Sequence, residues 1–208
     1  MYNINEFHPY FLTQHFDVKK YNHRNKKIKK NKLDNNYDKA FFNFLDIIKY
    51  KIPINYNKII ERQIKLEICQ QMENFKFKTK DKVNENLCYD EHINLFTLSC
   101  LCNFFDINIM FVNENVYCIL NHNNINNNVY GINKNKDIYN IKNDKLEFIK
   151  ENYYKIDNIT KPIYSITKYK LDELKEIATI LHLEYDNKYK KNNIYELIKE
   201  HLNNIIFF

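Results

Sequence analysis

The chain has 208 residues, of which 44% are hydrophobic and 15% aromatic, enough apolar surface for one folded domain and a small appendage. One glycine and three prolines exclude collagen-like and proline-rich chains, and also phosphate loops that need several glycines. The net charge of +6 is a mild excess that does not identify a nucleic-acid-binding protein by itself. No secretory signal and no apolar run long enough for a membrane span is evident, so we expect no secretion and no membrane partner.

Residues 1–37 combine a short aromatic start with a basic tract, and we expect this segment to be flexible. The tract lies between Asp17 and Lys32, and its charge is nearly all lysine, which attracts phosphates diffusely rather than reading bases. Two interpretations stay open, a solvated tail and an arm that contacts phosphates. The candidate contacts are Lys26, Lys27, Lys29 and Lys30.

Residues 38–158 are predicted to form a mainly helical α+β body. Apolar residues at helical spacing predict helices over about 38–50, 56–72, 83–88, 93–105 and 146–156. In the second of these, the predicted solvent face carries Glu61, Arg62, Lys65 and Glu67. Two runs rich in β-formers predict an antiparallel hairpin, 107–112 and 116–120, with one more strand at 129–132. The Asn-rich run 121–128 predicts a loop.

Residues 159–208 are predicted to form a separate module, with the boundary near Pro162. An apolar stripe predicts one amphipathic helix, and a second should begin near Asn192 or Asn193, which are plausible N-caps. Helices this short are unstable alone, so we expect them to pack on each other. The residues expected to be buried are Leu171, Leu174, Ile177, Ala178, Leu181, Ile194, Leu197, Ile198 and Leu202.

The polar connector between these two helices carries Lys188, Lys190 and Lys191. Backbone amides at the start of the second helix and three ammonium groups would together attract phosphate. The alternative is a two-helix bundle with solvated lysines. No array of base-reading side chains is apparent, so we expect any nucleic-acid binding to be independent of sequence.

The segment YKLDELKEIATILHLEYDNKYKKNNIYELIKEHL resembles the helix-extension-helix module of the SAP and Rho N-terminal type. The framework is Leu-x-x-Ile-Ala-x-x-Leu-x-Leu, a basic connector and Leu-Ile-x-x-x-Leu, which matches Leu174–Leu183 and Leu197–Leu202. The resemblance implies nucleic-acid binding, with DNA favoured over RNA. This chain lacks the glycine usual in the connector and has a longer insertion there.

A wider resemblance concerns the order of segments: DKAFFNFLDIIKY, IERQIKLEICQQM, INLFTLSCLCNFFDINIMFVNENVYCIL and KPIYSITKYKLDELKEIA. In this order the chain is similar to an uncharacterised protein family of nucleocytoplasmic large DNA viruses with a SAP-like C-terminus. The resemblance implies a viral protein of the host-cell cytoplasm (the viral factory), the nucleus or the virion. It implies no activity.

Two other functions stay open. In the first, a structural protein of the virion or viral factory would dock a viral protein partner through the apolar tail Ile205–Phe208. In the second, the body would be a papain-like or OTU-like cysteine hydrolase, degenerate because Asn43 stands where the nucleophilic cysteine is expected, with His122 as the base. Asp90, Glu91 and His92 form an acidic-histidine cluster without a second carboxylate cluster. We therefore expect no catalytic residue, no metal and no cofactor.

Overall fold

The structure is a computed structural model and describes residues 37–75, 79–121, 129–186 and 188–206. These residues belong to one compact unit. Helices and a small sheet give it an α+β fold, which confirms the predicted class. In the described ranges, no helix combines the length and the apolar content needed to cross a membrane.

The helices follow the apolar periodicity of the sequence. Their bounds are α1 Lys39–Ile47, α2 Lys58–Gln71, α3 Lys80–Tyr89, α4 Leu95–Phe105, α5 Asn143–Asn152, α6 Leu171–Ile180 and α7 Lys191–Ile206. Side-chain caps fix three of the starts, because Asp38, Asn57 and Asn94 each accept hydrogen bonds from amides in the first turn of the following helix. The second C-terminal helix was expected to start near Asn192 or Asn193, and α7 begins at Lys191.

Five short strands form one sheet in the order β4-β3-β1-β2-β5. They are β1 Ile109–Asn113, β2 Val116–Ile119, β3 Tyr130–Ile132, β4 Ile138–Asn140 and β5 Tyr154–Lys155. The predicted hairpin is confirmed, because β1 and β2 pair antiparallel across the turn. The sheet as a whole is mixed rather than antiparallel, since β3 and β5 pair parallel to β1 and β2. The helix predicted to end at residue 156 ends at Asn152, before β5.

The two faces of the sheet bury different helices, as the period of two along a strand requires. Ile109 and Phe111 face the main hydrophobic cluster with α1 to α4, whereas Met110 and Tyr117 face a smaller cluster with α5. The only glycine of the chain, Gly131, lies on β3. A Cβ atom there would stand 2.5 Å from the ring of Tyr139, so a larger residue would require that ring to move.

The two C-terminal helices share their buried cluster with the body. Leu174, Ala178, Ile194, Ile198 and Leu202 are fully buried and belong to the same cluster as α1 to α4. At the far end of α7, the Nδ2 atom of Asn113 in β1 donates to the carbonyl of Ile205 at 3.4 Å.

One predicted solvent-facing charge pair of α2 is buried instead. Glu61 and Lys65 are only 3% and 2% exposed, because they turn inward to meet Asp38, the buried N-cap of α1. Helical periodicity alone placed them on the solvent face. The carboxylate of Asp38, just before α1, is the partner that makes their burial possible.

Candidate nucleic-acid interface

The connector between α6 and α7 begins with a hydrogen-bonded turn that ends α6. His182 has φ 53°, and its amide donates to the carbonyl of Thr179, while the amide of Leu183 donates to the carbonyl of Ala178. This pair of bonds is the Schellman motif, in which the left-handed position is usually glycine. His182 therefore occupies a left-handed position at which glycine is usual, and the chain forms this turn without a glycine.

The residues just before α7 form a second ordered turn around Asp186. Its carboxylate accepts from the backbone amide of Lys188 at 2.9 Å, and its carbonyl accepts from the amide of Tyr189 at 2.8 Å. Aspartate commonly stabilises turns in this way. The turn leaves Lys188, Tyr189 and Lys190 exposed to solvent.

The starts of the two helices differ in charge. In α6, Asp172 and Glu173 occupy the first turn, and Glu173 accepts the backbone amide of Lys170 at 2.7 Å. In α7, the first turn carries no acidic residue and begins with Lys191. In α6, two carboxylates of the chain therefore compensate the positive end of the helix dipole, whereas the first turn of α7 has no carboxylate to do so. Of the two, α7 is the end that can accept an external phosphate.

A further lysine lies in the segment that contacts the second turn of α7. The hydroxyl of Tyr195, in the second turn of α7, donates to the carbonyl of Tyr164 at 3.0 Å. The ammonium group of Lys168 lies 5.8 Å from the centre of the Tyr164 ring. This tertiary contact brings the segment that precedes α6 to the beginning of α7. Sequence reasoning missed Lys168, because nothing in the local sequence relates it to residues about twenty positions later.

The predicted site lysines thus lie together at one end of α7. Lys188 and Lys190 are exposed, Lys191 is half-buried, and within the described residues none of the three forms an ion pair. Two carboxylates, Glu184 and Asp186, lie earlier in the connector and reduce the local charge. The predicted contacts Lys26, Lys27, Lys29 and Lys30 lie outside the described residues.

The exposed aromatic ring of Tyr189 is a second feature that sequence reasoning did not select. It is 42% exposed and lies between Lys188 and Lys190. An aromatic ring flanked by cations can stack on a base or a sugar while the cations contact phosphates. The signal was available in the sequence as the run Lys-Tyr-Lys-Lys.

The residues considered for a cysteine hydrolase have structural roles where they are described. Asn43 is half-buried, and its Nδ2 atom donates to the carbonyl of Lys136 at 2.8 Å. Burial raises the pKa of Cys100 to about 11 and that of Cys118 to about 12, which keeps both thiols protonated at neutral pH. His122 lies outside the described residues.

The acidic-histidine cluster at 90–92 is also engaged structurally. Asp90 accepts from Asn86 at 2.6 Å, Glu91 pairs with Lys58 at 2.5 Å, and His92 Nδ1 lies 4.0 Å from a carboxylate oxygen of Asp38. The pair with Lys58 lowers the pKa of Glu91. Over the described ranges, no group of three or more potential ligands is arranged to hold a metal ion.

The tail residue Ile205 is buried in the chain's own core, at 4% exposure. It therefore cannot contribute to the docking surface predicted for Ile205–Phe208. The side chains of the last three residues lie outside the described part of the chain.

The chain matches no protein-family model, and no significant match is found among curated proteins or among solved structures.

Proposed function

We propose that this protein binds DNA without sequence preference, through phosphate contacts at the start of α7. The observation that carries the proposal is the contrast between the two helix starts, since the first turn of α7 has Lys191 and no carboxylate, whereas α6 has two. Lys188 and Lys190 extend the positive surface into the connector. Backbone amides at a helix start together with lysines are a common phosphate site.

The chemistry of these groups supports binding to the phosphate backbone rather than to bases. Lysine is a flexible point charge, and it lacks the planar fork with which arginine reads guanine. Binding of this kind releases counterions, so its affinity should fall steeply with salt. The basic N-terminal segment would add further phosphate contacts through Lys26, Lys27, Lys29 and Lys30. The viral setting and the cellular location remain predictions that rest on the resemblance.

The test is a titration of a fluorescent 20-base-pair duplex at several salt concentrations. We expect the triple variant Lys188→Glu, Lys190→Glu and Lys191→Glu to bind at least about tenfold more weakly at 0.1 M salt. The slope of log K against log salt should decrease by about 2 to 3, because each lost phosphate contact removes about 0.9. Two unrelated duplexes should bind the unaltered protein equally.

The matched control places the same charge change on exposed lysines of the body, as Lys51→Glu, Lys82→Glu and Lys134→Glu. It should lose much less affinity than the connector variant, since it changes only the overall charge. Equal losses in the two variants would show that binding is a general charge effect. Unchanged affinity in the connector variant would exclude the start of α7 as the interface.

A further inference from the structure

Two half-buried cysteines face each other between α2 and α3. The Sγ atoms of Cys69 and Cys88 lie 3.7 Å apart. A disulfide needs a sulfur-sulfur distance of about 2.05 Å. Cys69 is near the end of α2, and Cys88 is near the end of α3, so a bond would link two helices that pack on each other.

Both cysteines are partly exposed, and Cys88 is the one that lines a cavity. Cys88 lines a cavity of about 220 Å³ at the surface of α2 and α3, whereas Cys69 is not part of its wall. Burial, together with the neighbouring Cys88, raises the pKa of Cys69 to about 12, so this thiol forms a thiolate less readily than an ordinary cysteine. A reagent held in this cavity therefore lies beside Cys88.

The charges on the cavity wall indicate which reagent fits. The wall carries three cations and three carboxylates. Lys65 pairs with Glu61, Lys58 pairs with Glu91, and the carboxylate of Asp90 accepts a hydrogen bond from Asn86 at 2.6 Å. Arg62 is exposed and forms no ion pair within the described residues. A guanidinium group binds a carboxylate with two parallel hydrogen bonds. A small disulfide that carries carboxylates can therefore be held beside Cys88.

The other close pair of cysteines lacks this arrangement. Cys100 and Cys102 are two residues apart on α4, where side chains point to different sides of the helix. Cys102 is fully buried, and Cys100 is half-buried. Among the cysteines, the geometry selects Cys69 and Cys88.

We propose that Cys88 is a modification site for glutathione disulfide and that Cys69 resolves the adduct to an internal disulfide between α2 and α3. The Cys88 thiol attacks one sulfur of glutathione disulfide, forming a mixed disulfide and releasing one reduced glutathione that takes up the thiol proton. Cys69 then loses its proton to solvent, its sulfur attacks the Cys88 sulfur, and the bond to the second glutathione breaks, releasing a thiolate that takes up a proton. The two protein thiols are oxidised, and one glutathione disulfide is reduced to two thiols.

The test uses the full chain with glutathione disulfide at pH 8, followed by denaturing alkylation and peptide mass spectrometry without reduction. The unaltered protein should go from five alkylatable cysteines to three, with a peptide linking Cys69 to Cys88. The variant Cys69→Ser should accumulate a glutathione adduct at Cys88, whereas Cys88→Ser should gain no adduct at Cys69. The control Cys118→Ser should still form the link.

The variant Arg62→Gln tests whether Arg62 helps to hold an anionic disulfide in the cavity. It should slow the reaction with glutathione disulfide several-fold and leave the reaction with cystamine, a cationic disulfide, unchanged. Equal slowing with both reagents would remove Arg62 from the site. Five free thiols in the folded protein, or bonds that form mainly between molecules, would overturn the proposal. An adduct trapped at Cys69 in Cys88→Ser would reverse the proposed order of attack.

Discussion

Two regions of this molecule use charged residues in opposite ways. In the body, Asp38, Glu61 and Lys65 are almost completely buried, and the Lys65 ammonium lies 3.1 and 3.2 Å from the two carboxylates. In the connector before α7, Lys188 and Lys190 are exposed and form no ion pair within the described residues. The first group is satisfied within the chain, whereas the second is available to an external partner.

The buried cluster explains how four elements of the body are joined. Asp38 accepts the amide of Ile93 at 2.5 Å, while its own amide donates to Glu61 at 2.8 Å. The hydroxyl of Tyr56 also donates to Glu61, at 3.1 Å. Nearly every polar atom of this cluster therefore has a partner, which is the condition for burying charge. A cluster of this kind positions helices and has no capacity left for a ligand.

The largest effect is expected for Lys65→Met, which removes the cation of the buried cluster but keeps the side-chain length. Two buried carboxylates would then lack their cation, and we expect the free energy of unfolding to fall by about 3 to 5 kcal/mol. Urea unfolding followed by circular dichroism gives this value.

The matched control for Lys65→Met is Lys58→Met, which breaks an exposed ion pair at the start of the same helix. Lys58 and Glu91 form an exposed pair at 2.5 Å, and its loss should lower stability far less than Lys65→Met does, because solvent screens an exposed pair. If the two variants lose equal stability, the buried cluster does not differ from a surface ion pair. A stability increase in Lys65→Met would show that desolvation outweighs the pairing.

The sequence predicted the elements whose pattern is local and missed those that depend on distant pairing. Helix α4 and the β1–β2 hairpin follow from periodicity, β-formers and turn residues close in the chain. By contrast, β4 has three residues and β5 two, too few for an alternating pattern. Tyr154 extends the apolar pattern of α5, but it pairs with Val116 of β2 instead, because the sheet edge provides backbone partners.

The same distinction applies to the candidate site. Lys188, Lys190 and Lys191 could be selected from sequence, because a basic connector between two amphipathic helices is a local pattern. The contact that brings the segment carrying Lys168 to α7 could not, since it joins Tyr164 to Tyr195, 31 residues later. The burial of Lys65 was also missed, because its partner Asp38 lies 27 residues earlier.

The comparison also assumes that the connector is held in one conformation. The variant His182→Gly tests the backbone conformation at its first turn. His182 has φ 53°, a region that costs a side chain about 1 kcal/mol and glycine little. We expect the free energy of unfolding to rise by about 0.5 to 1 kcal/mol, with no change in affinity for DNA. The control Glu176→Gly, at an exposed position inside α6, should lower it by about 1 kcal/mol. A loss of stability in His182→Gly would show that the imidazole makes contacts that outweigh the strain.

The smallest expected effect concerns the exposed carboxylate of the connector, through Glu184→Gln. A single charge about 10 Å from a phosphate contributes about 0.4 kcal/mol in water. Removal of the negative charge should therefore strengthen DNA binding about twofold at low salt, and the gain should disappear near 1 M salt, where the screening length is about 3 Å.

Asp186 is unsuitable for this test, because its carboxylate accepts the amide of Lys188 and holds the turn. The matched control is Glu85→Gln, at an exposed position on α3, which should leave the affinity unchanged. Equal gains in both variants would indicate that the whole surface, rather than the start of α7, attracts the polyanion.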